Sequence, residues 1–341
     1  MTNINKKIDL KQFLHKLPKV ELHLHLEGAI PLQILLTLIQ KYKGSNYISL
    51  SDLRKRFEYK NFKHFIKTWY WKNNFIKEYE DYEFIAENVA QNLAQQNIRY
   101  AEVYFSPSDF QQKGSHTQKI AQAIRRGINK QIDNIEINLI ADLVRDETNK
   151  LPQLEQIIEV KNQGIIGIGL GGKEKEFPPQ LFKAVFHKAK ANGFCTTCHA
   201  GEAAGTDYIW QAIKDLKVDR IGHGLAAKDD PELIKYLINH KIPVEMCPIS
   251  NVKTASVSSM LDHPIVDFYR KGMIVSINTD DPEMFNTSLE KEFLTLMKTF
   301  NLDLDDIYNI CKNGIQSLWC SEIKKDELLT KLNQYYKSFV N

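Results

Sequence analysis

Histidine and carboxylate side chains occur in four short motifs that lie far apart along this 341-residue sequence. Imidazole and carboxylate groups are common ligands of Zn²⁺ and similar ions, and the same groups act as general acids and bases. If folding brings them together, these motifs could bind a metal and catalyse a hydrolytic reaction. The four motifs are His23-Leu24-His25, His199-Ala200-Gly201-Glu202, Ile221-Gly222-His223-Gly224 and Asn278-Thr279-Asp280-Asp281-Pro282.

Each motif also has an ordinary structural interpretation. A single histidine in a strand is more often a packed or surface residue than a ligand, and Asp-Asp-Pro is a common start of a turn or helix. His23 and His25, however, alternate along one predicted strand, so both side chains face the same side. Burying several imidazoles and carboxylates together is costly without a partner, and a metal ion is the usual one. Three imidazoles and one carboxylate suit a Zn²⁺ site with an open position for water.

The elements that position these motifs are short apolar segments alternating with amphipathic ones. Near-continuous apolar runs are typical of parallel strands that are buried on both faces. We predict eight strands, at Val20–Leu26, Arg99–Ser106, Glu136–Arg145, Gly164–Leu170, Phe194–His199, Arg220–His223, Ile242–Cys247 and Met273–Asn278. Apolar spacing of three and four residues predicts helices at Tyr82–Gln96, Thr117–Ile132, Pro179–Asn192, Asp207–Leu216 and Pro231–Asn239.

Eight strands with alternating helices predict an α/β fold, a (β/α)8 barrel of the TIM type. The four motifs end the first, fifth, sixth and eighth strands, and in such barrels catalytic groups lie at these ends. An open doubly wound sheet is the alternative, but the glycine-rich run Gly167–Gly172 follows the fourth strand and not the first. We expect extra helices between Ile30 and about Asn74 and from Leu289 to Asn341, in a single domain spanning residues 1–341.

Composition excludes several other classes of protein. The net charge is +3 without a dense basic cluster, so we expect no nucleic-acid partner. No apolar run approaches the ~18 residues of a membrane span, and the N-terminus lacks the core of a signal peptide, so we predict a cytoplasmic protein. An odd count of 5 cysteines argues for reduced thiols. Cys195-Thr196-Thr197-Cys198-His199 matches the spacing of haem attachment, but it lies in a predicted strand without an export signal.

The sequence resembles the adenosine deaminase family of the amidohydrolase superfamily. The resemblance covers about residues 15 to 300, and five motifs occur in the family's order. They are Pro18–Gly28 with Glu-Leu-His-Leu-His-Leu-Glu-Gly, His199–Glu202, Arg220–Gly224, Cys247-Pro248-Ile249-Ser250-Asn251 and Asn278–Pro282.

The resemblance implies a metal-dependent hydrolase that deaminates a 6-aminopurine, most simply adenosine to inosine and ammonia. It assigns one Zn²⁺, or another divalent ion, to His23, His25, His199 and Asp280. Zn²⁺ would supply hydroxide at neutral pH for attack at C6. In the same resemblance, Glu202 protonates N1, His223 orients the attacking water and handles its proton, Asp281 hydrogen-bonds near N7 and the hydroxide, and the Gly172 N–H approaches N3.

Two positions depart from the family's common pattern. Many members have Asp at the position of Glu27, which meets the ribose 5′-hydroxyl, and many have Asp-Leu-Ala-Gly where this chain has Gly169–Gly172. Glu27 is therefore expected to bind the substrate and help select it. Adenine, 6-amino-6-deoxyfutalosine and modified adenosines stay open as substrates, and the sequence does not indicate an oligomeric state.

Two other functions also stay open. A binuclear hydrolase of the same superfamily, acting on a lactone, amide or phosphoester, often has a carboxylated lysine at the end of the fourth strand, and Lys173 lies slightly beyond it. A catalytically inactive relative that serves as a binding protein is the second alternative. The complete set of ligands, acid and base argues against the inactive relative.

Overall fold

A computed structural model describes residues 9–60, 62–107, 116–131 and 133–340 of the chain. Its centre is one sheet of eight parallel strands in sequential order. The strands are β1 Lys19–His25, β2 Ile98–Phe105, β3 Glu136–Asp142, β4 Ile165–Gly169, β5 Cys195–Ala200, β6 Arg220–His223, β7 Val244–Met246 and β8 Val275–Ile277. All eight predicted strands are thus confirmed, although β3, β7 and β8 are shorter than predicted.

The first and last strands meet through the residues that follow β8. The His25 N–H donates to the Asp280 carbonyl at 2.8 Å, and the Asp280 N–H donates to the His23 carbonyl at 2.9 Å. This pairing brings the two ends of the sheet together, so the predicted TIM-type (β/α)8 barrel is confirmed. It also places the carboxylate of Asp280 beside the two histidines of β1.

Helices surround the barrel and cover its apolar outer face. Those between successive strands include all five predicted helices, but Pro179–Phe182 is a 3-10 turn and residues 212–216 form a π-helical turn. The described helices are α1 Leu10–Lys16, α2 Leu32–Lys43, α3 Leu50–Arg56, α4 Phe62–Asn73, α5 Tyr79–Gln95, α6 Thr117–Asn129, α7 Leu151–Glu159, α8 Lys183–Ala191, α9 Thr206–Gln211, α10 Pro231–Asn239, α11 Pro248–Lys253, α12 Ile265–Arg270, α13 Pro282–Phe285, α14 Leu289–Phe300, α15 Leu304–Gln316 and α16 Glu322–Val340.

Both predicted helical extensions are confirmed where the structure describes them. Helices α2 to α4 follow β1, and α14 to α16 follow β8. Residue 132, at the end of the predicted helix Thr117–Ile132, lies outside the described residues. In the described part of the chain, no helix has the length and apolar character needed to cross a membrane.

The interior of the barrel contains a buried ionic network in addition to apolar side chains. Arg220 on β6 forms ion pairs of 2.6 Å with Glu102 on β2 and with Glu245 on β7. The Trp319 ring stacks on the Arg220 guanidinium at 3.5 Å, and the backbone N–H of Trp319 donates to Glu102 at 2.6 Å. Because β2 and β6 are not neighbours, these contacts cross the barrel below the ends of the strands.

Candidate active site

The structure brings together the four side chains that the sequence assigned to a metal. His23 and His25 end β1, His199 lies near the end of β5, and Asp280 follows β8; each offers a ligand atom within 4.8 Å of the others, and all four are buried. The Nε2 atoms of His25 and His199 are 3.3 Å apart, and Asp280 Oδ1 is 3.3 Å from His25 Nε2. One cation can therefore contact groups from three separate strand ends.

Hydrogen bonds on the far side of two imidazoles orient them toward the centre of this cluster. His23 Nδ1 lies 2.8 Å from Glu245 Oε2, and His199 Nδ1 lies 3.2 Å from the Leu170 carbonyl. Each Nδ1 then carries the proton, which leaves the Nε2 lone pair for a ligand. Among the described residues, the buried Nε2 of His23 has no hydrogen-bond partner. This donor set fits Zn²⁺ or a similar divalent ion.

The electrostatics of the cluster favour positive charge. Burial alone would lower the pKa of His23, but Asp280 and Glu245 outweigh burial and raise it to about 10. Burial would likewise raise the pKa of Glu245, but Arg220 and His23 lower it to about 2, so this carboxylate stays charged. Ser250 Oγ donates to Asp280 Oδ2 at 2.6 Å and orients its carboxylate. A divalent cation can replace the protons that these imidazoles otherwise hold.

Glu202, the candidate acid, and His223 lie next to each other beside this cluster. Glu202 Oε2 is 3.6 Å from His223 Nε2. Burial, followed by the charges of Asp280 and Glu174, raises the pKa of Glu202 to about 8. Burial and the neighbouring His23 lower the pKa of His223 to about 3, so its imidazole is neutral. Glu202 can thus hold a proton at neutral pH, as a general acid must.

The loop that carries Glu202 is held by a carboxyl group that sequence analysis did not single out. Glu174 is buried and accepts hydrogen bonds from four consecutive backbone N–H groups, at 2.5 Å from Gly201, 3.2 Å from Glu202, 2.6 Å from Ala203 and 3.2 Å from Ala204. A turn that presents its N–H groups to one side needs an acceptor there. Glu174 therefore fixes the backbone from which Glu202 reaches the site.

Asp281 lies against the backbone of Gly28, which explains why the motif of β1 ends in glycine. A Cβ atom on Gly28 would lie only 1.7 Å from Asp281 Oδ1. Burial and the adjacent Asp280 raise the pKa of Asp281 to about 8. Its buried Oδ1 has no hydrogen-bond partner among the described residues. A polar group held in this way is available to a bound molecule.

A cavity over the cluster contains most of the predicted site residues. Helix α4 contributes Phe65, Ile66, Trp69 and Tyr70, so the inserted helices form one wall of the cavity. The opposite side includes the ends of the barrel strands and the loops after them. The predicted site residues that line it are His25, His199, Asp280, Glu202, His223, Asp281 and Gly172.

Glu27 does not line the cavity itself, but it contacts a residue that does. It is buried, and its Oε1 accepts the backbone N–H of Ser106 at 3.0 Å. Among the described residues that line the cavity, Ser106 is included and Glu27 is not. Its predicted contact with a sugar stays a prediction.

Asp142 is a second site residue that sequence analysis missed. It ends β3, is buried and lines the cavity, and its Oδ1 has no hydrogen-bond partner among the described residues. A Cβ atom on Gly171 would lie 2.8 Å from Asp142 Oδ2, so the glycine run after β4 leaves room for this carboxyl group. No clear signal was present in the sequence, because the predicted strand continued to Arg145 and placed Asp142 inside it, whereas β3 ends at Asp142.

Among the described residues, the lysine expected of a carboxylated binuclear site does not reach the cluster, and the cysteines of the haem-like spacing are free thiols. Lys173 is 49% exposed and pairs with Glu176 at 3.3 Å. His223, Cys247 and Asp280 also lie within metal-binding distance of one another, and this second group shares Asp280 with the first. All five cysteines are described, and all are free thiols.

A TIM-type barrel with this buried histidine and aspartate cluster has the architecture of an amidohydrolase, and the comparison of sequences makes the class specific. Residues 18–335 match the profile of the adenosine deaminase family. The chain belongs to this family and is a hydrolytic deaminase.

Relatives and solved structures of the same type support this assignment. The chain is 33% identical over 324 residues to adenine deaminase of Crocosphaera subtropica, covering 94% of this chain and 99% of the relative. It is 30% identical to aminodeoxyfutalosine deaminase of Streptomyces avermitilis, covering 96% of this chain and 93% of the relative. The crystal structure of adenine deaminase from Arthrobacter aurescens superimposes with a TM-score of 0.88 at 26% identity, covering 94% and 99%. The crystal structure of Arabidopsis N6-mAMP deaminase superimposes with a TM-score of 0.85 at 25% identity, covering 95% of this chain and 99% of that protein.

Proposed function

We propose that the chain removes the 6-amino group of an aminopurine by hydrolysis, with one Zn²⁺ ion held by His23, His25, His199 and Asp280. The observation that carries this proposal is the joint burial of these four ligands beside a carboxyl group, Glu202, whose pKa is about 8. The named relatives act on aminopurines and support the same chemistry. When bound, Zn²⁺ supplies hydroxide at neutral pH by lowering the pKa of water to about 7.

The protein side chains have separate tasks in this reaction. Attack at C6 pushes electrons toward N1, and a protonated Glu202 can donate its proton there. His223, 3.6 Å from Glu202, lies where it can orient the attacking water. Asp281 offers an unpartnered oxygen for a polar contact near N7. The aromatic wall from α4 covers the ring system and excludes bulk water.

The substrate depends on what the cavity accepts beyond the purine ring. Adenosine, the nucleoside that the sequence indicates, is our first candidate. Free adenine is the second candidate, and Asp142 is the observation that favours it. If the Gly172 N–H meets N3, then N9 lies on the same edge of the purine, and Asp142 lies over the adjacent Gly171. A carboxyl oxygen there can accept a hydrogen bond from N9–H, which adenosine lacks.

The proposal is tested by ammonia release from purified, zinc-loaded protein. Adenine, adenosine, AMP and 6-amino-6-deoxyfutalosine are compared by kcat/KM, with Glu202→Gln as the inactive control. We expect one of the unphosphorylated substrates to be fastest, because no Lys or Arg is among the described residues that line the cavity to pair with a phosphate. A zinc-loaded protein that releases ammonia from none of these compounds would refute the proposed function. An Asp142→Ala variant that loses activity on adenine but keeps it on adenosine would identify the free base as the substrate.

A further inference from the structure

Behind the cavity, a line of three hydrogen bonds connects a backbone N–H to His223. The Ile265 N–H lies 3.2 Å from Nδ1 of His263. His263 Nε2 lies 3.1 Å from Asn251 Oδ1, and Asn251 Nδ2 lies 3.0 Å from Nδ1 of His223. Asn251 and His263 are buried, at 0% and 3% exposure. Water therefore does not compete for these bonds.

The direction of every bond in this line follows from its first member. A backbone N–H can only donate, so His263 Nδ1 must accept, and a neutral imidazole then carries its proton on Nε2. That proton is donated to Asn251, so the amide oxygen faces His263 and the amide nitrogen faces His223. The amide nitrogen can only donate, so His223 Nδ1 accepts and the His223 proton lies on Nε2.

Both imidazoles are neutral, because Nδ1 of each accepts a hydrogen bond and therefore carries no proton. For His263, burial with a contribution from Lys228 also lowers the pKa to about 3. The orientation of the Asn251 amide in the structure agrees with the direction that the Ile265 N–H imposes.

We propose that Asn251 and His263 are positioning residues that hold His223 in the tautomer with its proton on Nε2. Nε2 is the nitrogen that faces Glu202 and the cavity. His223 therefore presents an N–H to the attacking oxygen and has no lone pair there, so it orients this oxygen but does not take its proton, unlike the role that the family resemblance implies. The role of His223 in catalysis rests on the proposed function, whereas the tautomer is a property of the fold.

A pair of variants of nearly equal size at position 263 tests this proposal without changing a residue that lines the cavity. His263→Gln keeps the direction of the line, because its amide oxygen can accept the Ile265 N–H and its amide nitrogen can donate to Asn251. His263→Glu reverses it at a pH where its buried carboxyl group is ionised, because a carboxylate accepts on both sides, whereas a protonated carboxyl group would act as Gln does. In the ionised variant the Asn251 amide turns over, and His223 moves its proton to Nδ1.

The direct measurement is the ¹³C and ¹⁵N chemical shifts of the His223 ring in the full-length, zinc-loaded protein, assigned with a His223→Gln variant. We expect a proton on Nε2 in wild type and in His263→Gln at every pH, and a move to Nδ1 in His263→Glu as the pH is raised and its carboxyl group ionises. The kcat of His263→Glu should be at least about tenfold below that of His263→Gln, in the range typical of a misplaced acid–base group. Zinc content should be equal in the two variants.

Three results would overturn the proposal. They are a wild-type His223 proton on Nδ1, an unchanged tautomer in His263→Glu after its carboxyl group has ionised, and an equal loss of kcat in both variants at that pH, which would show a structural role only. The tautomer is measured without a substrate. A protein that deaminates no aminopurine but switches its tautomer as expected would therefore refute the proposed function and leave this inference standing.

Discussion

Replacing Glu174 by Gln should destabilise the loop that carries Glu202 and change the pH dependence of the reaction. The two shortest of its four hydrogen bonds, 2.5 Å to Gly201 and 2.6 Å to Ala203, fall on different carboxyl oxygens. Glutamine keeps one oxygen, so it loses one short bond and places an amide N–H against a buried backbone N–H. Hydrogen bonds to charged groups contribute about 1.5–3 kcal/mol, so we expect the free energy of unfolding to fall by about 2–4 kcal/mol.

The same substitution acts on the candidate acid through its charge. Glu174 is one of the groups that raise the pKa of Glu202, after burial and Asp280. Glu202 must carry a proton to act, and this proton is lost as the pH rises through about 8. Removing the negative charge of Glu174 lowers the pKa of Glu202. The alkaline fall in kcat/KM should therefore begin at lower pH in Glu174→Gln than in wild type.

The assays are urea unfolding at fixed zinc content and kcat/KM as a function of pH. Glu176→Gln is the matched control, because Glu176 lies in the same loop but is 61% exposed and pairs with Lys173. Substitutions at such exposed sites usually change stability by less than about 0.5 kcal/mol. If Glu174→Gln matches the control in both assays, Glu174 neither supports the loop nor influences Glu202.

Four further substitutions test the roles proposed for the site. His199→Ala should lose bound zinc by elemental analysis, and unchanged metal content would remove His199 from the ligand set. Glu202→Gln should keep its zinc but lose about 10²–10⁴-fold in kcat, and a variant within about threefold of wild type would show that Glu202 is not the acid. His223→Ala should also keep zinc and lose turnover; a metal-free variant would make His223 a ligand. Glu27→Ala should reduce the preference for adenosine over 5′-deoxyadenosine if Glu27 contacts the ribose, and an unchanged ratio would assign the sugar side to other residues.

Most of the barrel was predictable from local sequence pattern. Apolar runs such as Arg99–Ser106 indicated buried parallel strands, and β2 is buried at every position except Arg99. The predicted ends were less accurate at β3, β7 and β8, each of which is three residues shorter than predicted. Strand ends depend on pairing with a neighbour, and the sequence of one strand does not contain that information.

Part of the site was predictable because its residues follow a rule of position. His23, His199 and Asp280 end or follow strands, and parallel strands in a barrel end at one rim. Asp142 obeys the same rule in the structure, but the predicted strand continued to Arg145, so the rule did not identify it from the sequence. Glu174 gave no signal of its own, because its four partners follow another strand 27 or more residues away.

The sequence by itself determined the eight strands, the helices between them and the side chains that can meet at the strand ends, because apolar periodicity and alternation along a strand are local properties. Only the tertiary structure decided which atoms of those side chains are available. His23 faces the cluster with Nε2 because Glu245, 222 residues away, holds Nδ1. His223 faces the cavity with an N–H because Asn251 and His263 hold its other nitrogen. Hydrogen-bond direction and burial depend on neighbours from other strands and loops, so they arise only when the chain is folded.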